Sequence, residues 1–511
     1  MQYDIIIIGG GHNGLTTAAL TAARGRKVVV LEGRDAPGGL AAGREFHPGY
    51  RSTGILHDTT SVRQSVIDAL ALESHGLRRR SEPAAVFAPQ ADGTGLLLSS
   101  DASEAAGEIR AHSPGDAEQY ARFSEFLERV GGYIRRLLAD PPPDISPTRL
   151  GQYIELFRKG WGLRRLGRET MYECLRIGPM CVQDWLDEWF ENDLLKATLA
   201  APALLGTWTG PRSAGTTALS LMQHSTARGE IAGGPAGLVA ALVGACKAKG
   251  AEIRTGSTVK RIRVGTGCVL GVELESGESI DALCVASSID PKRTFLDLLR
   301  PADLPIGLEV PMQNWRCRGT TAKIHLALSG PLEFASRPGD LFENIRIGES
   351  LTEIERAFDG VKYRELPARP HLDVRVPTIS DPTLAPEGHH VVSILVHFVP
   401  HDLDGGWTDE RRDELLQSSL ARLAAVSPSC VDRITGHEVL TPVDIEREFG
   451  ITGGHIHHGE HGLDQMFSLR PHPRCSRYGT SLPGLYLCGS GSHPGGGITC
   501  APGELAATAM R

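Results

Sequence analysis

Two short apolar runs near the N-terminus are separated by one helical segment. Residues 5–8 are four consecutive isoleucines and residues 28–31 read Val-Val-Val-Leu, a pattern typical of strands that are buried on both faces of a parallel sheet. Between them, residues 15–24 are rich in Ala, Leu and Thr, and Gly25 follows, which predicts a helix with a glycine stop. The chain therefore begins with a predicted strand–helix–strand unit.

The turn between the first strand and the helix has the spacing of a dinucleotide-binding loop. Gly9, Gly11 and Gly14 form a G-x-G-x-x-G pattern, which permits a tight turn, a close approach of a pyrophosphate and close packing of the helix. Glu32 ends the second strand, where a carboxylate accepts hydrogen bonds from ribose hydroxyls and disfavours a 2′-phosphate. Because these parts occur in register, the pattern predicts a dinucleotide site rather than a chance glycine-rich turn. The predicted contacts in this unit are Gly9, Gly11, Asn13, Gly14 and Glu32.

The remaining pattern predicts two more parts of this sheet and a second lobe. Residues 102–224 have helical periodicity, and residues 315–330, 372–376 and 390–399 are strand-like, so the chain is expected to cross between lobes repeatedly. The elements predicted to return to the first sheet are a helix over 236–249, strands over 250–254, 258–264, 269–274 and 279–286, and a last strand, glycine turn and helix within 483–509.

Several motifs resemble one known group of flavoproteins. Residues 32–41, 54–58, 287–291, 453–460 and 488–497 look like those of the phytoene-desaturase-related flavoproteins of the amine oxidase and carotenoid desaturase superfamily. The resemblance covers nearly the whole chain and implies an α/β fold. That fold has a discontinuous Rossmann-like FAD-binding domain, of the two-dinucleotide-binding-domain flavoprotein type, and an α+β substrate lobe. The implied segments are 1–95, 226–300 and 453–511 for FAD binding, 96–225 for the helical part of the substrate lobe and 301–452 for its sheet part.

The resemblance also implies which further residues would hold the FAD cofactor. Arg34 would pair with phosphate or adenosine, or else is a solvated loop residue, and Val259 would lie near the adenine. Leu40 stands where the family usually has arginine, so one polar contact is lost. The C-terminal contacts would hold the ribityl chain and the pyrimidine edge of the flavin. The additional implied contacts are Gly33, Arg34, Gly38, Gly39, Leu40, Val259, Gly489, Ser490, Gly497 and Ile498.

Three residues are candidates for catalysis because the resemblance places them near the isoalloxazine. They are His57, Asp58 and His493. Either histidine has an ordinary pKa near neutrality and can act as an acid or base, although a structural hydrogen bond beside the flavin is the alternative interpretation.

Charge and cysteine spacing exclude other classes of function. A formal net charge of −8 over 511 residues argues against nucleic acid as a partner. The 10 cysteines include no C-x-x-C pair, which argues against a redox dithiol and a zinc ribbon. His455, His457, His458 and His461 are close in sequence, but no cysteine or acidic set completes a metal shell, so we expect a polar strand that lines the cavity and no metal.

Two patterns bear on partners and location. Residues 157–168 carry five positive charges among apolar residues, so they either contact an anionic membrane peripherally or form a solvated helix face. No apolar run approaches the about 20 residues that span a bilayer, and no basic leader region precedes the first strand, so a cytoplasmic protein is expected.

These observations predict an FAD-dependent dehydrogenase or desaturase that takes hydride from a C–H bond of a largely apolar organic substrate and forms C=C or C=N. Residues 233–237 are glycine-rich but follow no predicted strand, which argues against an NAD(P)H site. Electrons would pass to oxygen, a quinone or another carrier. The alternatives are a flavin-dependent isomerase, an NAD(P)H-fed monooxygenase and, outside the enzymes, a flavin-binding regulatory or interaction protein.

Overall fold

A computed structural model describes residues 2–510 and shows a mixed α/β fold built on two large sheets. The strands are β1 (Gln2–Ile8), β2 (Val28–Leu31), β3 (Glu45–His47), β4 (Tyr50–Arg51), β5 (Arg79–Arg80), β6 (Val86–Pro89), β7 (Gly95–Leu98), β8 (Glu230–Ile231), β9 (Glu252–Arg254), β10 (Val259–Gly265), β11 (Cys268–Leu274), β12 (Ser279–Ser287), β13 (Thr321–Leu328), β14 (Asn344–Ile347), β15 (Leu372–Arg375), β16 (His390–His397), β17 (Ile434–Leu440) and β18 (Leu485–Leu487). The helices are α1 (His12–Ala22), α2 (Gln64–Leu70), α3 (Ala102–His112), α4 (Pro114–Ala139), α5 (Leu150–Arg164), α6 (Arg168–Ile177), α7 (Val182–Asp187), α8 (Asp193–Leu204), α9 (Thr216–Thr226), α10 (Gly234–Ala248), α11 (Pro291–Leu296), α12 (Glu309–Gln313), α13 (Leu351–Lys362), α14 (Asp409–Val426), α15 (Pro442–Phe449) and α16 (Ala501–Ala509).

The first sheet has the order β10-β11-β12-β1-β2-β9, and β18 pairs with β12. Strands β1, β2, β9, β12 and β18 are parallel, whereas β10, β11 and β12 form an antiparallel meander. Ile5 and Ile7 pack with residues of α1, α10 and α16, and Ile6 and Ile8 pack on the opposite face with the meander and α11. The isoleucine run is therefore buried on both faces, as its sequence predicts.

The second sheet has the order β17-β13-β16-β15-β14-β6-β7. Along each of its central strands, successive side chains point to opposite faces of the sheet. Ala322, Ile324 and Leu326 of β13 pack with buried leucines of α14 in one apolar cluster. Lys323 and His325 therefore point to the other face, which looks away from α14.

The structure differs from the predicted organisation at three places along the chain. Strands β6 and β7, at 86–98, extend the second sheet, so the chain leaves the first sheet before residue 95. Residues 455–459 form turns rather than a strand, and their backbone folds around the buried side chain of Arg470. A short strand, β8, does precede Gly233, but it pairs only with β5 in a separate two-stranded sheet. Within residues 2–510, no helix is both long enough and apolar enough to cross a membrane.

Candidate functional site

A cavity of about 380 Å³ lies at the carboxyl ends of β1 and β2. Open parallel sheets bind ligands at this edge, where the loops after the strands leave a crevice. We call it the first cavity. The predicted cofactor residues that line it are Gly9, Gly11, Asn13, Glu32, Gly33, Arg34, Gly39, Leu40, Val259 and Ser490.

The glycines of the first loop have different roles. A Cβ atom on Gly14 would stand 2.2 Å from the carbonyl oxygen of Gly9, so this glycine lets α1 pack on the turn. A Cβ atom on Gly11 would meet no protein atom within 4 Å, although Gly11 lines the cavity. The protein's own packing therefore leaves the space beside Gly11 open, which fits a ligand phosphate that approaches the backbone.

Gly38 and Gly489 shape the site from behind the lining. The amide of Gly38 donates a 2.8 Å hydrogen bond to the carbonyl of Gly10, which ties the second glycine loop to the first. A Cβ atom on Gly489 would stand 2.3 Å from the carbonyl oxygen of Ser288, so the last glycine turn packs directly on the end of β12. These two predicted contacts hold the cavity wall rather than face the cavity.

Glu32 is buried and fixed by two backbone amides. Its Oε2 accepts a 2.7 Å hydrogen bond from the amide of Gly10, and its Oε1 accepts a 3.0 Å bond from the amide of Arg34. Each carboxylate oxygen keeps a second lone pair for a ligand hydroxyl. The geometry is therefore that of a ribose-binding carboxylate.

Arg34 is not a solvated loop residue. Its Nη2 lies 3.0 Å from Oε1 of Glu448, and its guanidinium stacks 4.3 Å from the ring centre of Phe449. Its Nη1 is buried without a hydrogen-bond partner among residues 2–510, as is Oδ1 of Asn13. Buried polar atoms are normally satisfied, so these two atoms at the cavity fit the acceptors and donors of a bound dinucleotide such as FAD.

A second cavity of about 140 Å³ adjoins the first, and Leu56 lines both. Gly497 and Ile498, which the resemblance assigns to the ribityl chain and the flavin pyrimidine edge, line this second cavity. Part of the lining is apolar and comes mainly from α8 and α9, and we call it the apolar wall. Another part, the polar wall, comes from the loop after β4 and from the second sheet. The apolar wall includes Ala203, Leu205, Leu219 and Met222, and the polar wall includes His57, Asp58, Arg346 and Asp373.

His57 stands between a buried lysine and a buried aspartate, and we call these three residues the His57 group. Nζ of Lys323 is 3.3 Å from Nδ1 of His57, and Oδ1 of Asp373 is 3.3 Å from Nε2 of His57. Burial, and secondarily the charge of Lys323, lowers the pKa of His57 to about 3. Burial lowers the pKa of Lys323 to about 7. The group that titrates near neutrality is therefore the lysine and not, as the sequence alone suggests, the histidine.

Two residues of the polar wall, Asp373 and Arg346, lie in one row of the second sheet together with Lys323. In the strand register Lys323 pairs with Leu395, Leu395 with Asp373, and Asp373 with Arg346. Burial alone raises the pKa of Asp373, but His57, Arg346 and Arg375 together lower it below its ordinary value. Lys323, Asp373 and Arg346 were not predicted as site residues, although the alternation of polar and apolar residues in β13, β14 and β15 is a signal that points to them.

The other two predicted catalytic residues differ in position. Asp58 lines the second cavity, and its oxygens accept hydrogen bonds from Thr60 (2.7 and 2.8 Å) and Gln223 (3.0 Å). His493 is fully buried against Phe467, and its neighbour Pro494 lines the cavity instead. Burial lowers the pKa of His493 to about 3. The structure thus brings His57 and Asp58 together and places His493 behind the wall.

The four clustered histidines surround a buried guanidinium. His455, His457, His458 and His461 are all kept neutral, chiefly by burial and further by the charge of Arg470, which lower their pKa values. Arg470 is 0% exposed and donates hydrogen bonds of 2.8–3.2 Å to carbonyl oxygens only. The accepting residues are His457, Gly459, Glu460, Gln465 and Ser490.

A third cavity of about 570 Å³ lies beside the second one. Leu138, Thr226 and Pro494 line both, so the two spaces are neighbours near the end of α4.

Two family models match the chain. Residues 96–501 match the model described as flavin containing amine oxidoreductase. Residues 4–146 match the model described as FAD dependent oxidoreductase.

Relatives match over nearly their full length. The chain is 33% identical to pyridine nucleotide-disulfide oxidoreductase domain-containing protein 2 of Rattus norvegicus, over 99% of this chain and 93% of that protein. It is 27% identical to hydroxyneurosporene desaturase of Rhodobacter capsulatus, over 98% and 95%. It is 25% identical to phytoene desaturase (lycopene-forming) of Pantoea ananas, over 98% and 97%.

Solved structures confirm the predicted fold. An oxidoreductase from Methanosarcina mazei has a TM-score of 0.61 at 16% identity, over 100% of this chain and 99% of that one. A triple mutant of putrescine oxidase has a TM-score of 0.62 at 14% identity, over 100% and 98%. The chain therefore belongs to the flavin-containing amine oxidoreductase family, together with phytoene desaturases, and is an FAD-dependent oxidoreductase.

Proposed function

We propose that the protein is a dehydrogenase or desaturase that takes a hydride from a C–H bond of a largely apolar organic substrate and forms a C=C or C=N bond. FAD, when bound, supplies the hydride acceptor. The observation that carries the proposal is the second cavity, which adjoins the first at Leu56 and joins an apolar wall to the His57 group. The residues of the first cavity would hold the dinucleotide, and Gly497 and Ile498 would hold its reactive end.

The His57 group supports this reaction because hydride loss from such a substrate is accompanied by the loss of a proton. Formation of C=C releases a proton from the neighbouring carbon, and formation of C=N requires a neutral amine. Lys323 has a pKa of about 7, so a neutral amine is available on it at physiological pH. Lys323 is fully buried behind the cavity lining, so a proton would reach its neutral amine through Asp373 and His57, which line the cavity and stand in series with it.

The glycine-rich segment before α10 does not support a second dinucleotide site. Gly234 packs against Thr53, since a Cβ atom on it would stand 3.3 Å from Cβ of Thr53. The preceding strand β8 lies outside the first sheet, so the segment is not at a strand end of a Rossmann unit. Reduction by an organic substrate is therefore favoured over reduction by NAD(P)H, and the electrons would then pass to oxygen, a quinone or another carrier.

We also propose that α5 contacts an anionic membrane peripherally. None of its residues is buried, and Phe157 and Trp161 are 66% and 54% exposed with stacked rings. The charges of residues 158–168 flank this apolar surface and complement anionic lipids. Lys159 lies 2.8 Å from Asp140, which lines the third cavity, so a substrate that leaves the membrane at α5 arrives beside that cavity.

The proposed reaction is tested by the mass of the product. The FAD-loaded protein is mixed without oxygen with amines, amphipathic acids and alkenes while its visible absorbance is followed. We expect a compound that bleaches the flavin to be recovered two hydrogens lighter. An unchanged mass would identify an isomerase, and an added oxygen atom, once air is admitted with NAD(P)H, would identify a monooxygenase. If no compound changes the flavin absorbance, the result would support the alternative of a flavin-binding regulatory or interaction protein.

A further inference from the structure

The polar wall of the second cavity contains a guanidinium that the protein does not fully satisfy. Arg346 of β14 lines the cavity, and its side chain is 16% exposed. Its Nη1 donates a 2.8 Å hydrogen bond to the carbonyl of Thr198, which fixes the side chain. Its Nε is buried without a hydrogen-bond partner among residues 2–510. The nearest carboxylate oxygen, Oδ2 of Asp373, is 3.9 Å from that Nε.

The acidic side chains near Arg346 are engaged with other partners and do not accept a hydrogen bond from its Nε. Asp373 lies against His57, and both oxygens of Asp58 already accept hydrogen bonds from Thr60 and Gln223. Arg375, the other arginine of this face, is paired with Glu230 at 2.8 Å. Arg346 is therefore the cation of the polar wall whose donor has no partner among residues 2–510, and Nε2 of His57, 3.3 Å from Oδ1 of Asp373, is the other unsatisfied nitrogen there.

A hydrocarbon in this cavity would leave that capacity unused. A buried donor without a partner is costly, and the cost is larger for a charged group. A carboxylate matches the planar fork of a guanidinium and neutralises its charge. The apolar wall of α8 and α9 lines the same cavity and fits an alkyl or alkenyl body.

We infer that the substrate is an amphipathic carboxylic acid whose carboxylate is bound by Arg346, with its apolar body against Leu219 and Met222. This inference rests on the proposed function and narrows it, because a hydrocarbon or a simple amine would not use this site. The carboxylate anchors one end of the substrate, so the C–H bond that reacts lies a fixed number of bonds away from it.

Hexanoate, hexan-1-ol and hexylamine are the probes for this site, because they share an alkyl chain and differ in the head group. Each is titrated into the FAD-loaded protein, and binding is followed by calorimetry and by the flavin spectrum. We expect hexanoate to bind at least tenfold more tightly than the alcohol or the amine. The variant Arg346→Met should lose this preference, and Arg346→Lys should retain part of it.

Arg369→Met is the matched control, because Arg369 is 55% exposed, lies outside the cavity lining and pairs with Glu349 and Glu353. It should bind hexanoate as the wild type does. Absence of hexanoate binding, tighter binding of hexylamine, or a preference that survives in Arg346→Met would overturn the inference. If Arg346→Met fails to fold, the binding of hexanoate, hexan-1-ol and hexylamine to the wild type and to Arg346→Lys still tests the inference. Arg346-dependent binding without oxidation of any acid would contradict the proposed function and leave the carboxylate site intact.

Discussion

Nζ of Lys323 lies 3.3 Å from Nδ1 of His57, across the boundary between the two parts of the fold. Lys323 comes from β13 of the second sheet, and His57 comes from the loop that follows β4. The pair can form only when these parts pack together. His57 lines the second cavity, and the fully buried Lys323 lies behind it. A titrating group is thereby placed one residue away from the cavity.

Removal of this group should change the pH dependence of the reaction. In the proposed reaction the neutral amine of Lys323 is the final proton acceptor, and its pKa is about 7, so kcat/KM of the wild type should fall as the pH drops below 7. Lys323→Met should lower kcat/KM by about 10²-fold or more and abolish this fall. The measurement is kcat/KM of both proteins between about pH 5.5 and pH 9, a range that includes the expected fall below a pKa of about 7.

Lys362→Met provides the comparison, because Lys362 is half-exposed on α13 and pairs with Asp359 on its own helix. Its pH profile should match that of the wild type. A Lys323→Met protein that keeps the wild-type profile would show that another group accepts the proton.

The open space beside Gly11 predicts a variant that folds but cannot bind its cofactor. A Cβ atom there meets no protein atom. The cofactor-free Gly11→Val protein should therefore unfold at the same temperature as the cofactor-free wild type. The valine side chain would occupy the path of the pyrophosphate and cost more than about 1.4 kcal/mol, so FAD content should fall roughly tenfold or more. Gly107→Val in α3, where a Cβ atom also meets nothing, should retain FAD. Full flavin content in Gly11→Val would place the pyrophosphate elsewhere.

Arg470 predicts a large effect on stability. Its replacement by Met leaves the carbonyl oxygens of His457, Gly459, Gln465 and Ser490 without a side-chain donor, whereas that of Glu460 keeps Nε2 of Gln465. Each unsatisfied buried group costs about 1–3 kcal/mol, so Arg470→Met should lose at least about 3 kcal/mol of unfolding free energy. Urea unfolding followed by circular dichroism measures this loss. A loss below about 1 kcal/mol would mean that water or a rearranged backbone satisfies these carbonyls.

The apolar face of α5 predicts binding to anionic vesicles. The double variant Phe157→Glu with Trp161→Glu removes exposed apolar area and adds negative charge. We expect the wild type to sediment with phosphatidylserine vesicles and not with phosphatidylcholine vesicles, and the variant to remain in the supernatant. Since neither ring is buried, the variant should unfold at the wild-type temperature. Equal sedimentation of both proteins would argue that α5 is a solvated helix face.

The first sheet could be predicted from the sequence because its signals are local. The isoleucine run, the glycine loop, α1 and Glu32 follow one another within one strand–helix–strand unit, and the structure places them as predicted. The meander could be predicted for the same reason, since β10, β11 and β12 are consecutive.

The polar wall could not be predicted in the same way. Lys323, Asp373 and Arg346 lie on strands whose order in the sheet differs from their order in the chain, so their pairing depends on long-range register. The strands of Lys323 and Asp373 were predicted, whereas β14, a strand of only four residues that carries Arg346, was not. The protonation of His57 depends on burial and on Lys323, which no local pattern shows.

The identity of the reductant tests the central claim most directly. The FAD-loaded protein, kept free of oxygen, receives NADH, then NADPH, and then the panel of organic acids, amines and alkenes, while the visible flavin absorbance is recorded. The proposed function predicts that neither nicotinamide bleaches the flavin and that an organic substrate does. Rapid bleaching by NADH or NADPH would contradict it and would identify a reductase or monooxygenase with a nicotinamide site.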